Sequence, residues 1–312
     1  EKPGNSADIN IALLQVLRKL GYSVQPVVLS TRDNGMLSPI YPSLNKLNHM
    51  IVHLKTGEKT YLLDATEKYM PFGLLPVKDL NWRGRLITDD FTDWVDLSTT
   101  KKAKKTVQYS MKINDDLTMQ GNIKYVREDY SAYNFRKDFY SFNSEEDFIK
   151  NFKKKRNGLE ISEYSFDNLE DVESSVRDSY KVTVENKIEN IGDEIYFYPL
   201  LYEQMTENDF QAEKRKYPVD FAYPREKSVI VNYQLPGGYA VAEVPETIKM
   251  NLPANGGYFL YQVSNLNNQV SVVYKFALNK TMFLPEQYPA LREFYNQIIK
   301  KHAEPVLLKK TQ

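Results

Sequence analysis

His49-Met50-Ile51-Val52-His53-Leu54-Lys55-Thr56-Gly57-Glu58-Lys59-Thr60-Tyr61-Leu62-Leu63-Asp64 is the stretch whose reading decides the fold. Two short apolar runs, residues 50–54 and 59–63, flank Thr56-Gly57, and a Gly-containing pair between such runs signals a β-hairpin. With Thr56-Gly57 as a two-residue turn, Lys55 pairs with Glu58 and His49 stands directly opposite Asp64. Opposed side chains share a face with Cβ atoms roughly 5 Å apart, so Asp64 can hold one ring nitrogen of His49. Ile51, His53, Thr60 and Leu62 share that face. Met50, Val52, Leu54, Tyr61 and Leu63 form the other, which reads as core. A loop one residue longer would break the pairing.

Upstream, Ile9, Ala12, Leu13, Val16, Leu17 and Leu20 recur at helical spacing on one face, and Gly21 is a natural C-terminal stop. Asn5 is a good N-cap with Asp8 three residues on, a variant of the capping box. Ser6 then sits in the first turn, where the positive end of the helix dipole favours an anion. A cysteine there would attack as a thiolate. A serine hydroxyl stays protonated and must lose its proton to a base during attack. Ser6, His49 and Asp64 are the candidate catalytic set. Each also has a plainer reading, as a helix-start serine, a strand-end histidine and the first residue of a turn. His53 reads as a neighbour rather than the base, and His302, in the terminal helix pattern, as surface. Three histidines and no cysteine give no metal constellation and no zinc-type spacing, so no metal or cofactor is expected.

A family resemblance runs through Gly4-Asn5-Ser6-Ala7-Asp8-Ile9-Asn10, Leu29-Ser30-Thr31-Arg32-Asp33-Asn34-Gly35, Asn48-His49, Leu62-Leu63-Asp64-Ala65-Thr66 and Pro71-Phe72-Gly73-Leu74-Leu75-Pro76. Together these resemble bacterial secreted transglutaminase-like proteins of the papain-like superfamily. Arg215 to Phe221, Asn255-Gly256-Gly257 and Pro285 to Arg292 resemble the β-rich C-terminal domain that follows the core in those proteins. The resemblance implies a nucleophilic cysteine at the Ser6 position, a general base at His49 and an orienting carboxylate at Asp64. Ser6 replaces the thiol, and Ile51 stands where active relatives often carry Trp. In the family, helices precede the nucleophile; only a few residues precede Ser6, so that upstream part of the core is expected to be missing. The resemblance also implies a periplasmic or extracellular setting.

The fold class expected is α+β, with a partial transglutaminase-like core over residues 1–97 and an antiparallel β-sandwich-like domain with added helices over 98–312. Ser98 to Lys105 is polar and basic and reads as the linker. Beyond it, residues 106–113 and 117–126 flank Asn114-Asp115-Asp116, a hairpin signal. Val229, Val231, Tyr233 and Leu235 alternate, as do Phe259, Tyr261 and Val263, then Val270, Val272, Tyr274 and Phe276 across Asn267-Asn268. Such runs suit an antiparallel sandwich with one polar face. Residues 133–140 and 145–156 read as helical, and Pro285 opens a final helix whose stripe of Tyr288, Leu291, Phe294, Tyr295, Ile298 and Ile299 packs on the sheet.

Lys plus Arg and Asp plus Glu are both 41, so nothing favours nucleic acid or an acidic membrane surface. No apolar run approaches membrane-spanning length, and 312 residues suffice for two domains with their own cores. The favoured function is a catalytically degenerate transglutaminase-like protein that binds peptide or glycopeptide at the old cleft. The alternatives are an active amide hydrolase or transamidase, with Ser6 as nucleophile or as a replaced cysteine, and a structural surface module.

Overall fold

The computed structural model describes residues 6–38, 40–41 and 43–311. It is an α+β protein of two compact units, Glu1–Lys101 and Lys102–Gln312. No helix of the described residues is long and apolar enough to cross a membrane.

The first unit contains helix α1 (Ser6–Lys19) and strands β1 (Ser23–Leu29), β2 (His49–Thr56), β3 (Lys59–Leu63), β4 (Arg83–Ile87) and β5 (Thr92–Asp96). The strands form one antiparallel sheet in the order β3-β2-β1-β4-β5. The expected N-cap Asn5 lies outside the described residues. Gly21 closes the helix as expected, at φ +83°. The N–H of Gly21 bonds to the Arg18 carbonyl and that of Tyr22 to the Leu17 carbonyl, the pattern of a Schellman cap.

The buried face of α1 is not the expected one. Leu13, Leu14 and Leu17 pack with Val24, Val52, Leu54 and Leu63, while Ile9, Val16 and Leu20 stay exposed. The cause is polar. Asn10 is fully buried and bonded to two other segments, and this fixes the helix rotation about one residue away from its most apolar stripe.

The hairpin also differs from its expected register. Thr56 pairs with Lys59, Lys55 with Thr60 and Val52 with Leu63, so the turn is Gly57-Glu58. Gly57 takes φ +59°, the left-handed conformation that the first central residue of a type II′ turn requires. The register is displaced by two residues from the expected one. An even displacement keeps every side chain on its face, so the core assignment of Val52, Leu54 and Leu63 stands. His49 and Asp64 are no longer opposite. They become diagonal neighbours on one face, a separation that long side chains still span.

The second unit opens with β6 (Ala103–Ile113) and β7 (Met119–Asp129), then α2 (Tyr130–Phe139) and α3 (Glu145–Lys154). Strands β8 (Leu159–Asp167), β9 (Val176–Val184), β10 (Ile188–Ile191), β11 (Glu194–Phe197), β12 (Val219–Asp220), β13 (Arg225–Gln234), β14 (Tyr239–Glu243) and β15 (Ile248–Leu252) follow. Strands β16 (Gly257–Leu266), β17 (Gln269–Leu278) and β18 (Met282–Phe283), helix α4 (Tyr288–His302) and β19 (Val306–Lys310) complete it. An eight-stranded sheet runs β15-β16-β17-β13-β6-β7-β9-β8, beside a four-stranded sheet β10-β11-β19-β14 and the pair β12-β18. The alternating residues of β13, β16 and β17 point into one core, with Val229, Val231 and Tyr233 fully buried. Asn267 and Asn268, both at positive φ, make the β16–β17 turn.

The second unit corrects three expectations. The large sheet is mixed, because β13 pairs with β6 in parallel. The basic linker is shorter than read, since Ala103, Lys104 and Lys105 already belong to β6; Lys105 is drawn in by Glu203, 3.1 Å away. His302 is buried, accepting the Met205 N–H on Nδ1 and packed against Tyr274, and burial drives its pKa down to about 3.

Candidate functional site

The three candidate residues meet in the first unit. Ser6, in the first turn of α1, is half-buried. Its Oγ lies 3.1 Å from His49 Nδ1, and His49 Nε2 lies 3.1 Å from Asp64 Oδ2. In the tautomer that leaves Nδ1 free to accept the Ser6 hydroxyl, Nε2–H donates to Asp64. That is the polarity of a nucleophile–base–carboxylate relay. The His49 side chain is 2% exposed and that of Asp64 is fully buried.

Local structure explains why the residues converge. His49 is the first residue of β2 and pairs with Leu29, the last of β1. Asn48 fixes this entry point: its side chain accepts the Thr31 N–H and donates to the Thr31 hydroxyl. Asn81 donates to the Ser30 and Gly35 carbonyls and so holds the 30–35 loop. Asp64 leaves β3 one residue past its end and caps its own turn, accepting the Thr66 N–H and hydroxyl. Asn10 ties helix to sheet. It donates to the Met50 carbonyl and to Asp64 Oδ1, 2.8 Å each, and accepts the Ala65 N–H at 2.9 Å.

Two further residues complete the cluster. Asp79, in a short 3-10 turn, is fully buried and places Oδ1 3.4 Å from His49 Nε2. Lys78 puts Nζ 3.3 Å from Asp64 Oδ2 and 2.7 Å from the Thr66 hydroxyl. Burial, the hydrogen bond with Asp64 and the Asp64 charge push Asp79 up to about 9, so it is a neutral acid at pH 7. Burial alone would also raise Asp64; donors from His49, Asp79, Asn10 and Thr66 outweigh it and hold Asp64 well below the usual carboxylate range. His53 pairs with Leu62 across the hairpin.

Sequence reasoning did not find Asp79 or Lys78. They follow the Pro71–Pro76 run in an irregular segment, where no periodicity assigns a face. Asn10 and Thr66 lie inside the runs that carry the family resemblance, but neither has a signal separating a structural amide or hydroxyl from a surface one.

The first unit also holds a cavity of about 390 Å³, lined by Val28, Leu37, Leu44, Leu47, Arg85 and Trp94 among others. Val28 pairs with Met50 and Arg85, so its side chain lies on the sheet face opposite that of Leu29 and its partner His49. The Arg85 guanidinium lies 5.0 Å from the centre of the Trp94 ring. The lining is mostly apolar, with one cation and one aromatic face.

Comparisons with known proteins add the following. Residues 193–308 match the family model of a domain of unknown function with a solved structure (DUF3858). No curated protein matches. The chain is similar to the crystal structure of a "putative protease" from Parabacteroides distasonis ATCC 8503, at 12% identity and a TM-score of 0.48, over 96% of this chain. It spans 43% of the length of that protein.

Proposed function

We propose that the first unit is a peptide-binding module built on a triad that no longer turns over. Its ligand is an amide-bearing peptide or glycopeptide, with one side chain seated in the Trp94 cavity and its backbone passing Ser6. The site is then a degenerate relative of the transglutaminase-like hydrolases that the sequence resembles. A periplasmic or extracellular setting belongs to the same proposal.

The observation that carries this reading is the charge around His49. Attack by Ser6 would pass its proton to His49 and create a buried imidazolium. In a working triad the buried carboxylate offsets that charge. Here the Lys78 ammonium already neutralises Asp64, and Asp79 holds a proton, so the three side chains sum to zero. Lys78 Nζ and His49 Nε2 both lie against Asp64 Oδ2, at 3.3 and 3.1 Å, so a second cation there would stand no more than about 6.4 Å away and cost about 3 kcal/mol at an effective dielectric of about 20. Lys78 is 35% exposed, and solvent screening reduces the penalty to about 1–2 kcal/mol, on the order of a tenfold loss in rate. It adds to the handicap of an alcohol, which gains no thiolate at the helix start. The unbroken Ser6–His49–Asp64 hydrogen bonding favours a second reading, an active serine-type amide hydrolase.

The test uses the protein's own fluorophores. The two tryptophans are Trp82 and Trp94. Titration with bacterial stem peptides and unrelated hexapeptides should give a saturable change in tryptophan emission with at least one class, and Trp94→Phe should abolish it. An unchanged emission across the panel, or a response that persists in Trp94→Phe, removes the cavity as the binding site.

A further inference from the structure

We propose that His49, Asp64 and Asp79 form a site for a first-row divalent cation of the Zn²⁺ type. The site overlaps the cluster of the proposed function but needs no peptide ligand.

The geometry comes first. One ligand atom from each residue lies within 4.8 Å of the others. His49 Nε2 is 3.1 Å from Asp64 Oδ2 and 3.4 Å from Asp79 Oδ1. With zinc–ligand bonds of about 2.0–2.1 Å, the edge of a coordination tetrahedron is roughly 3.3 Å. Two of the three donor spacings therefore already stand near that edge, the carboxylate pair lies within 4.8 Å, and solvent can supply the fourth corner.

The second observation is Asp79 itself. It is fully buried, its neighbours are the His49 ring nitrogen and the Asp64 carboxylate, and among the described residues neither of its oxygens accepts a hydrogen bond from any other side chain or backbone donor. It is aimed at the ring nitrogen and the neighbouring carboxylate.

The surroundings fit an ion. A histidine that ligates through Nε2 carries its proton on Nδ1 and needs an acceptor there. Ser6 Oγ stands 3.1 Å from Nδ1 and can be that acceptor. This is the reverse of the tautomer in which His49 serves as a base, so a metal-loaded site and a base-active site exclude one another. Asp64 Oδ1 is held by Asn10 and the Thr66 N–H, while Oδ2, which also accepts the Thr66 hydroxyl, faces the cluster. The group that must leave is the Lys78 ammonium, which sits on a flexible and partly exposed stem over Asp64 Oδ2.

The experiment is calorimetric titration of the full chain, stripped with chelator, with ZnCl₂, alongside a Co²⁺ absorption spectrum. The expected result is one Zn²⁺ per chain and the intense visible bands of four-coordinate Co²⁺. Asp79→Asn should lose binding at least tenfold, and Lys78→Met should bind several-fold tighter because the competing cation is gone. Ser6→Ala should weaken binding by about tenfold, as loss of an outer partner does. No binding up to millimolar Zn²⁺, or binding indifferent to both Asp79→Asn and Lys78→Met, overturns the proposal. Peptide titration of the stripped protein is read separately, so failure of the metal site leaves the binding reading intact, and the converse holds.

Discussion

Replacing Asn10 by alanine should cost the first unit about 4 kcal/mol. The amide is fully buried and makes three bonds: to the Met50 carbonyl, to the ionised Asp64 and from the Ala65 N–H. A bond to a charged group contributes about 1.5–3 kcal/mol and a neutral one about 0.5–1.5, and alanine leaves the former partners without replacements. The loss is a large share of the stability of a unit this size. It can be measured without interference from the second unit, because both tryptophans, Trp82 and Trp94, lie in the first. Urea unfolding followed by tryptophan emission should show the midpoint moving down by about 2 M, at a slope of about 1–3 kcal/mol per molar urea. Val16→Ala is the control: this exposed residue belongs to the apolar stripe of α1, and its change should stay within about 0.5 kcal/mol. A midpoint shift under about 0.5 M for Asn10→Ala, or a larger effect from Val16→Ala, would refute the argument that a buried amide sets the helix rotation.

Other outcomes follow from the same geometry. Leu14→Ala should cost about 2–4 kcal/mol by the same assay, since Leu14 is on the buried face with Val24 and Val52. In Ser6→Cys, the pH profile of iodoacetamide alkylation should give a thiol pKa below about 7.5, because the helix start favours the thiolate; an ordinary value near 8.5 would mean that the helix start does not act on it. In the second unit, Glu203 is held at about 2 by Lys227 and Lys105 despite its burial. Its folded-state pKa lies below the unfolded value, so its contribution is present above about pH 4.5 and is lost as pH falls toward 2. By far-UV circular dichroism the loss should approach about 3 kcal/mol, and Glu203→Gln should flatten that dependence. The same substitution should destabilise the unit by about 3–5 kcal/mol at pH 7, because it leaves two half-buried lysines uncompensated.

Much of the fold was legible in periodicity. The β13, β16 and β17 alternations placed their residues in the core, and the stripe from Tyr288 to Ile298 is the buried face of α4. Elements failed where a polar group overrode the apolar pattern. Asn10 turned α1, Glu203 drew Lys105 into a strand, and Met205 gave His302 a buried partner. The hairpin register shows a different limit. Choosing which residue of Thr56-Gly57-Glu58 takes positive φ decides the register, and Gly57 answers it only once glycine is put first in the turn. The candidate residues still met, because an error of two positions leaves both side chains on one face. Asp79 and Lys78 were not legible, because their position depends on where an irregular segment returns to the sheet.

The proposed function rests on Ser6 being an alcohol whose base is weakened by the neighbouring Lys78 charge. The direct measurement is exposure of the folded protein to a fluorophosphonate probe, followed by peptide mass spectrometry of the segment carrying Ser6. Ser6 should remain unmodified over hours at about pH 7.5, with native tryptophan emission retained. Stoichiometric labelling at Ser6 that disappears when His49 is replaced by alanine would contradict it and establish a serine hydrolase.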